Sequence, residues 1–112
     1  MMPTTLQDVA DERVLHLTTT GRKTGMPEIE IWFVLSAGRF YLFAETGESA
    51  DWVKNVRRNS AVTVRVGGRQ MNATARVLDL ETDEPLRDHV ASLARQKYGW
   101  GDGLPVELTS QK

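Results

Sequence analysis

Two glycines at positions 67 and 68 separate the alternating run "AVTVRV" from the longer stretch "RQMNATARVLDLE". Val62, Val64 and Val66 fall on one face of an extended chain, and a Gly-Gly pair readily supplies the positive φ angles of a two-residue turn, so the segment reads as an antiparallel hairpin. An isolated hairpin is barely stable in water, so its apolar face has to be covered by further elements. The rest of the chain supplies them.

Upstream, "RVLHLTTT" (13–20) is rich in β-branched and apolar residues and ends at Gly21, as a first strand running into a turn would. The turn is "GRKTG", and Pro27 biases the residue before it toward extended geometry. In "EIEIWFVLS", Ile29, Ile31, Phe33 and Leu35 share one face, with Glu28, Glu30, Trp32 and Val34 on the other, which predicts one half-buried strand. Ala37-Gly38 then turns the chain into a third strand, "RFYLFAET".

Two segments carry helical spacing. "ESADWVKNVRRNS" predicts a short basic helix capped by Ser49, with Trp52, Val53 and Val56 inward and Lys54, Arg57 and Arg58 on the remaining surface. "TDEPLRDHVASLARQK" predicts a longer one, capped by Thr82 and striped by Leu86, Val90, Leu93 and Ala94. The tail "YGWGDGLPVELTSQK" reads as a glycine-broken loop and a short strand, "PVELT". Five or six antiparallel strands with tight turns predict a mainly β fold with flanking helices, a small barrel rather than an open sheet. At 112 residues there is room for one core, so a single domain is expected over 1–112, with 1–12 as an N-terminal extension and 98–112 as loop and final strand.

Composition narrows the function. The 14 basic and 15 acidic side chains give a formal net charge of −1, too little field to hold nucleic acid or an anionic membrane by mass electrostatics. With no cysteine, thiolate metal sites, disulfides and cysteine nucleophiles are excluded. The start "MMPTTLQDVADER" lacks a signal peptide's basic and apolar regions and no apolar run reaches membrane-spanning length, so a cytoplasmic protein is expected.

The turn "TTTGRKTG" offers Arg22 and Lys23, the Thr20 and Thr24 hydroxyls and backbone amides, a sensible grip for one phosphate. It is not a nucleotide P-loop, because Arg22 stands where that loop needs glycine and a strand follows where a helix should. A plain hairpin tip with its charges in water accounts for the same residues. Likewise Lys54, Arg57 and Arg58, with Trp52 and Asn55, read as an anion site or as a solvated helix face over a core tryptophan. His16 and His89 have no metal-ligand spacing, and no nucleophile elbow is present. Trp32, on the polar side of its strand, calls for a cover, either a ligand or a second subunit; Trp100, among Gly99, Gly101 and Gly103, reads as an aromatic flap or as ordinary packing.

Taken together, "LTTTGRKTG" before a strand, "YLFAETGESADWVKNVRRN" with its W-x-x-N spacing and "VTVRVGG" resemble the deazaflavin-dependent nitroreductase family (F(420)-dependent quinone and nitro reductases). That family belongs to the split β-barrel superfamily of pyridoxamine-phosphate oxidase type. The resemblance runs from about Val14 to Val66 and more loosely through "LPVELT". It implies a split β-barrel of the FMN-binding type, commonly homodimeric, that binds a deazaflavin coenzyme and passes a hydride to quinones, nitro compounds or other conjugated acceptors. By position it implies that Arg22 and Lys23, supported by Thr20 and Thr24, grip the coenzyme's anionic tail, while Trp52 and Asn55 lie along the cofactor groove. Glu28 stands where the family commonly has arginine, and "EIEIW" replaces its proline-leucine segment. An exposed carboxylate beside an anionic tail repels it by about 1 kcal/mol. Tyr98 and Trp100 are the aromatics available to cover a substrate.

A cofactor of this kind carries the hydride itself, so the lack of an acid–base pair or nucleophile is compatible with an oxidoreductase. Two alternatives accompany it: the same fold using FMN, whose single phosphate Glu28 would oppose less, and a non-catalytic barrel holding a flavin-like ligand. A nucleic-acid module has the least support, since the basic cluster is small and no aromatic residues interleave it.

Overall fold

The computed structural model describes residues 12–19, 28–79, 82–101 and 103–110. Among them are seven strands: β1 (Leu15–Thr19), β2 (Glu28–Ile31), β3 (Phe33–Ser36), β4 (Arg39–Ala44), β5 (Ala61–Val66), β6 (Arg69–Val77) and β7 (Leu104–Ser110). Helix α1 (Asp51–Arg58) follows β4, and α2 (Glu84–Tyr98) follows β6. Every pairing is antiparallel, in the order β2-β1-β5-β6-β7-β4-β3. The edge strands β2 and β3 are consecutive in the chain with only Trp32 between them, so the sheet has to curl until its edges meet. The result is a split β-barrel, joined at the seam by the chain itself.

The single strand expected over 28–36 is therefore two. Leu15 pairs with Ile31 and Phe33 with Leu42, so the chain changes partner, from β1 to β4, at Trp32. Alternation survives the break, because Ile29, Ile31, Phe33 and Leu35 all pack in the barrel interior. Val34, expected outward, is buried because α2 covers that side.

Inside, Leu15, Leu17, Phe40, Leu42, Val64 and Leu108 are fully buried, and Val53 and Val56 of α1 pack among them. The Val62, Val64 and Val66 face lies here as the pattern requires; Gly67 (φ 58°) and Gly68 (φ 81°) make the tight turn that pairs Val66 with Arg69. Outside, the α2 stripe of Leu86, Val90, Leu93 and Ala94 packs on Val34, Tyr41, Phe43 and Leu78. Strand β4 is thus covered on both faces, which explains its unbroken apolar run.

The expected short strand "PVELT" is the seven-residue β7, held in the middle of the sheet between β6 and β4. Its Glu107 is buried on the α2 side, in register with Tyr41 and Arg76. The carboxylate accepts from Tyr41 Oη at 2.9 Å, Arg76 Nε at 3.3 Å and Arg39 at 3.5 Å, so its charge is compensated. Neither expected cap forms. Ser49 ends a 3₁₀ turn (Gly47–Ser49) and donates to the Thr46 carbonyl at 2.8 Å, leaving Ala50 at the α1 N-cap. Asp83 takes the α2 N-cap in place of Thr82, its carboxylate accepting the Asp79 N–H at 2.7 Å and Arg76 at 2.9 Å. No helix among the described residues is long and apolar enough to cross a membrane.

Candidate functional site

At the seam the curled sheet leaves a cavity of about 770 Å³. Ile29, Glu30 and Ile31 of β2, with Val14, form one wall, and Phe43, Glu45 and Thr46 at the end of β4 form another. Ala50 and Trp52 come from the start of α1, Trp32 from the strand break and Trp100 from the segment after α2. Three indoles therefore converge on one space from three separate parts of the chain.

The two aromatics at the α2 end are held firmly. Tyr98, the last residue of α2, stacks on Trp32 with centroids 4.4 Å apart and planes 6° from parallel, and Trp100 meets Trp32 edge-on at 6.1 Å. The Tyr98 hydroxyl accepts the Phe33 N–H at 3.1 Å, while its own proton lies between the carbonyls of Phe33 (2.8 Å) and Arg13 (2.7 Å). It thereby satisfies backbone groups at the place where the chain changes ladder partner. Burial pushes this phenol above the ordinary tyrosine range, opposed by the Phe33 hydrogen bond and the Arg13 charge. Lys97 donates to the Phe33 carbonyl at 3.2 Å, tightening the same clamp.

Two of the glycines around Trp100, Gly101 and Gly103, stand at close packing contacts. A Cβ on Gly101 would stand 2.5 Å from the Ala91 carbonyl oxygen, and one on Gly103 would meet the Ala44 oxygen at 2.8 Å and the Trp100 ring at 2.9 Å. Only glycine allows those approaches.

Of the residues singled out in the sequence, Trp52 is half-buried, packing on the interior cluster and also lining the cavity. Asn55 is used differently. Its side-chain amide donates to Thr19 Oγ1 at 3.0 Å, fixing α1 to the buried end of β1. Thr20, Arg22, Lys23 and Thr24, directly after Thr19, lie outside the described residues. Lys54, Arg57 and Arg58 are exposed on α1.

Glu28 is engaged by Arg65 through two contacts, at 3.0 and 3.3 Å, and the Arg65 guanidinium holds its carboxyl below the usual range. His16 pairs with Glu30 at 3.2 Å, and His89 meets Ser36 Oγ at 3.2 Å.

A family model, the F420H(2)-dependent quinone reductases, matches residues 3–107. The chain belongs to this family. Among solved structures, an F420-H2 dependent reductase (FDR-A) is 26% identical with a TM-score of 0.68, the match covering 89% of this chain and 95% of that one. A putative pyridoxamine 5'-phosphate oxidase from Listeria innocua is 16% identical (TM-score 0.76; 96% and 90% covered). HutZ, a heme storage protein from Vibrio cholerae, is 14% identical (TM-score 0.75; 96% and 88% covered). These last two likenesses show the fold alone.

Of the three indoles that line the family member's cavity, the sequence offered Trp52 by resemblance, Trp32 as a residue needing a ligand or subunit over it and Trp100 as flap or packing; it singled out neither carboxylate, Glu30 or Glu45. Glu30 alternates outward beside Trp32, and Glu45 follows a strand; nothing local to either marks a cavity wall.

Proposed function

We propose that the protein is a reductase that transfers a hydride between a reduced deazaflavin coenzyme and a small conjugated acceptor, such as a quinone or nitro compound, in the seam cavity. The observation that carries this reading is the cavity itself, three indoles and two isoleucines around about 770 Å³ in a member of a deazaflavin-dependent family. Ligand sites of small molecules run from about 300 to 1,000 Å³ with mostly apolar walls, so a planar three-ring head and a small acceptor fit these residues.

When bound, the coenzyme supplies the hydride. The chain's own task is orientation and exclusion of water: Trp32, Trp52 and Trp100 offer flat faces, and Tyr98 keeps Trp32 in one pose. In this reading Arg22 and Lys23, with Thr20 and Thr24, hold the anionic tail, and the Asn55–Thr19 bond positions the strand from which they depart. Glu28 opposes that tail less than its sequence position suggests, because Arg65 already engages its charge. This weakens the argument for FMN as the cofactor. Trp32 remains 37% exposed despite its stack, and a second copy covering it is part of the proposal.

Parallel fluorescence titrations with the deazaflavin coenzyme and with FMN test the reading. The expected result is preference for the deazaflavin, lost by well over tenfold in the Arg22→Ala/Lys23→Ala double variant, since each charge-assisted contact contributes about 1.5–3 kcal/mol. Affinity unchanged in that variant, with circular dichroism also unchanged, sinks the tail assignment; preference for FMN sinks the coenzyme assignment.

A further inference from the structure

The described walls of the cavity are aromatic, and the charges they carry have one sign. Among the described residues its walls carry two carboxylates, Glu30 and Glu45, and no cation. Glu30 is shared with His16 at 3.2 Å, whereas Glu45 has no ion-pair partner among the described residues. Arg13 and Lys97 lie over the Tyr98 ring, at 4.9 and 5.1 Å from its centroid, and do not line the cavity.

The π face of an aromatic ring attracts positive charge, tryptophan's most strongly, and three indoles line this cavity, although Trp32 has one face stacked on Tyr98. A carboxylate beside such faces adds a Coulomb term of the same sign, reduced by the water and salt that reach these exposed side chains and so greatest at low ionic strength. Neutral quinone-like rings would use the flat walls and gain nothing from the carboxylates. An anionic ring would be repelled by them.

We infer that the seam cavity selects planar aromatic cations, such as N-alkylated nitrogen heterocycles, over neutral rings of the same shape, with Glu45 and Glu30 as the residues that set the preference. As an assignment of the acceptor class this rests on the proposed reductase reading; as a binding preference it stands on the described walls of the cavity. Glu45 contributes more than Glu30, because Glu30 already has His16 beside it.

N-methylphenazinium and phenazine differ by one methyl group and one positive charge. Equilibrium dialysis of the full chain against each, read by absorbance at low salt, is expected to show the cation bound on the order of tenfold more tightly. Glu45→Gln should remove most of that margin and Glu30→Gln a smaller part, with phenazine binding unchanged in both. Both side chains are exposed at the surface, so neither substitution threatens the fold. Equal affinity for the two rings, or tighter binding of phenazine, overturns the inference; so does a glutamine variant that weakens both rings alike. The same preparations titrated with the deazaflavin coenzyme separate the two proposals. Coenzyme binding without cation preference overturns only the inference, and cation preference without coenzyme binding overturns only the reductase reading.

Discussion

The barrel interior and the outer layer under α2 are built on two faces of the same strands, and they are filled by different chemistry. The interior is almost wholly aliphatic and phenylalanine, with Phe33 and Phe40 edge-to-face at 5.6 Å, and its buried side chains ask only for volume. The outer layer holds Tyr41, Tyr98, Trp32, Trp100 and the buried Glu107, each tied by a directed contact. Packing without polar partners tolerates swaps of similar volume, whereas a directed layer fixes a particular arrangement. The cavity takes its pre-set aromatic wall from the second.

The largest effect is expected inside. Phe40→Ala should lower stability by about 3–5 kcal/mol, the usual cost of removing a buried phenylalanine and leaving a cavity, measured by denaturant unfolding. A loss under about 1 kcal/mol would mean that the interior is loosely filled and would erase the contrast. Next in size is Tyr98→Phe, which keeps the ring on Trp32 but leaves the Phe33 N–H without its acceptor. A loss of about 1–3 kcal/mol is expected, with a shift in tryptophan emission as Trp32 loosens. A change in emission without loss of stability would separate the clamp from the fold.

The smallest effect is a pH dependence confined to the outer layer. Burial raises both Tyr41, also pushed up by its bond to Glu107, and Tyr98 above the ordinary phenol range. The folded state then keeps these protons where the unfolded chain, titrating near about pH 10, has begun to lose them. Stability is therefore fully present below about pH 10 and falls as pH rises toward the folded-state values. Urea midpoints across that range should fall less steeply in Tyr41→Phe than in the parent chain; an identical slope would remove Tyr41 from the account.

How much of this was legible in the sequence follows the same division. Two interior faces were written in local alternation, so Val62, Val64 and Val66, and Ile29, Ile31, Phe33 and Leu35, could be placed on the inward side. The break at Trp32 could not, because the exchange of β1 for β4 as partner is a non-local event that leaves the alternation intact. Val34 looked solvent-facing because α2, distant from it in sequence, is what covers that side, and nothing local singled out the buried Glu107. The caps failed for a local reason: Ser49 and Thr82 bind into the turns before their helices. In the candidate site, Trp32 stood out of pattern and called for a cover, whereas Trp52 followed the helical spacing and Trp100 lay in a glycine-rich loop; that the three share one space is a non-local fact. The "GRKTG" residues Arg22 and Lys23 lie outside the described residues, so their role rests on family membership.

Strand β7 carries a consequence in time as well as in space. It follows the six other described strands in the chain, yet it lies between β6 and β4, so all six are made before the sheet can be joined. Until residues 104–110 emerge, β2-β1-β5-β6 and β4-β3 are two separate patches with bare inner edges. Such edges are open to pairing with another chain, and contacts spanning this much sequence form slowly. The nascent protein is thus exposed to misassembly for as long as β7 is missing, and a single strand closes that window.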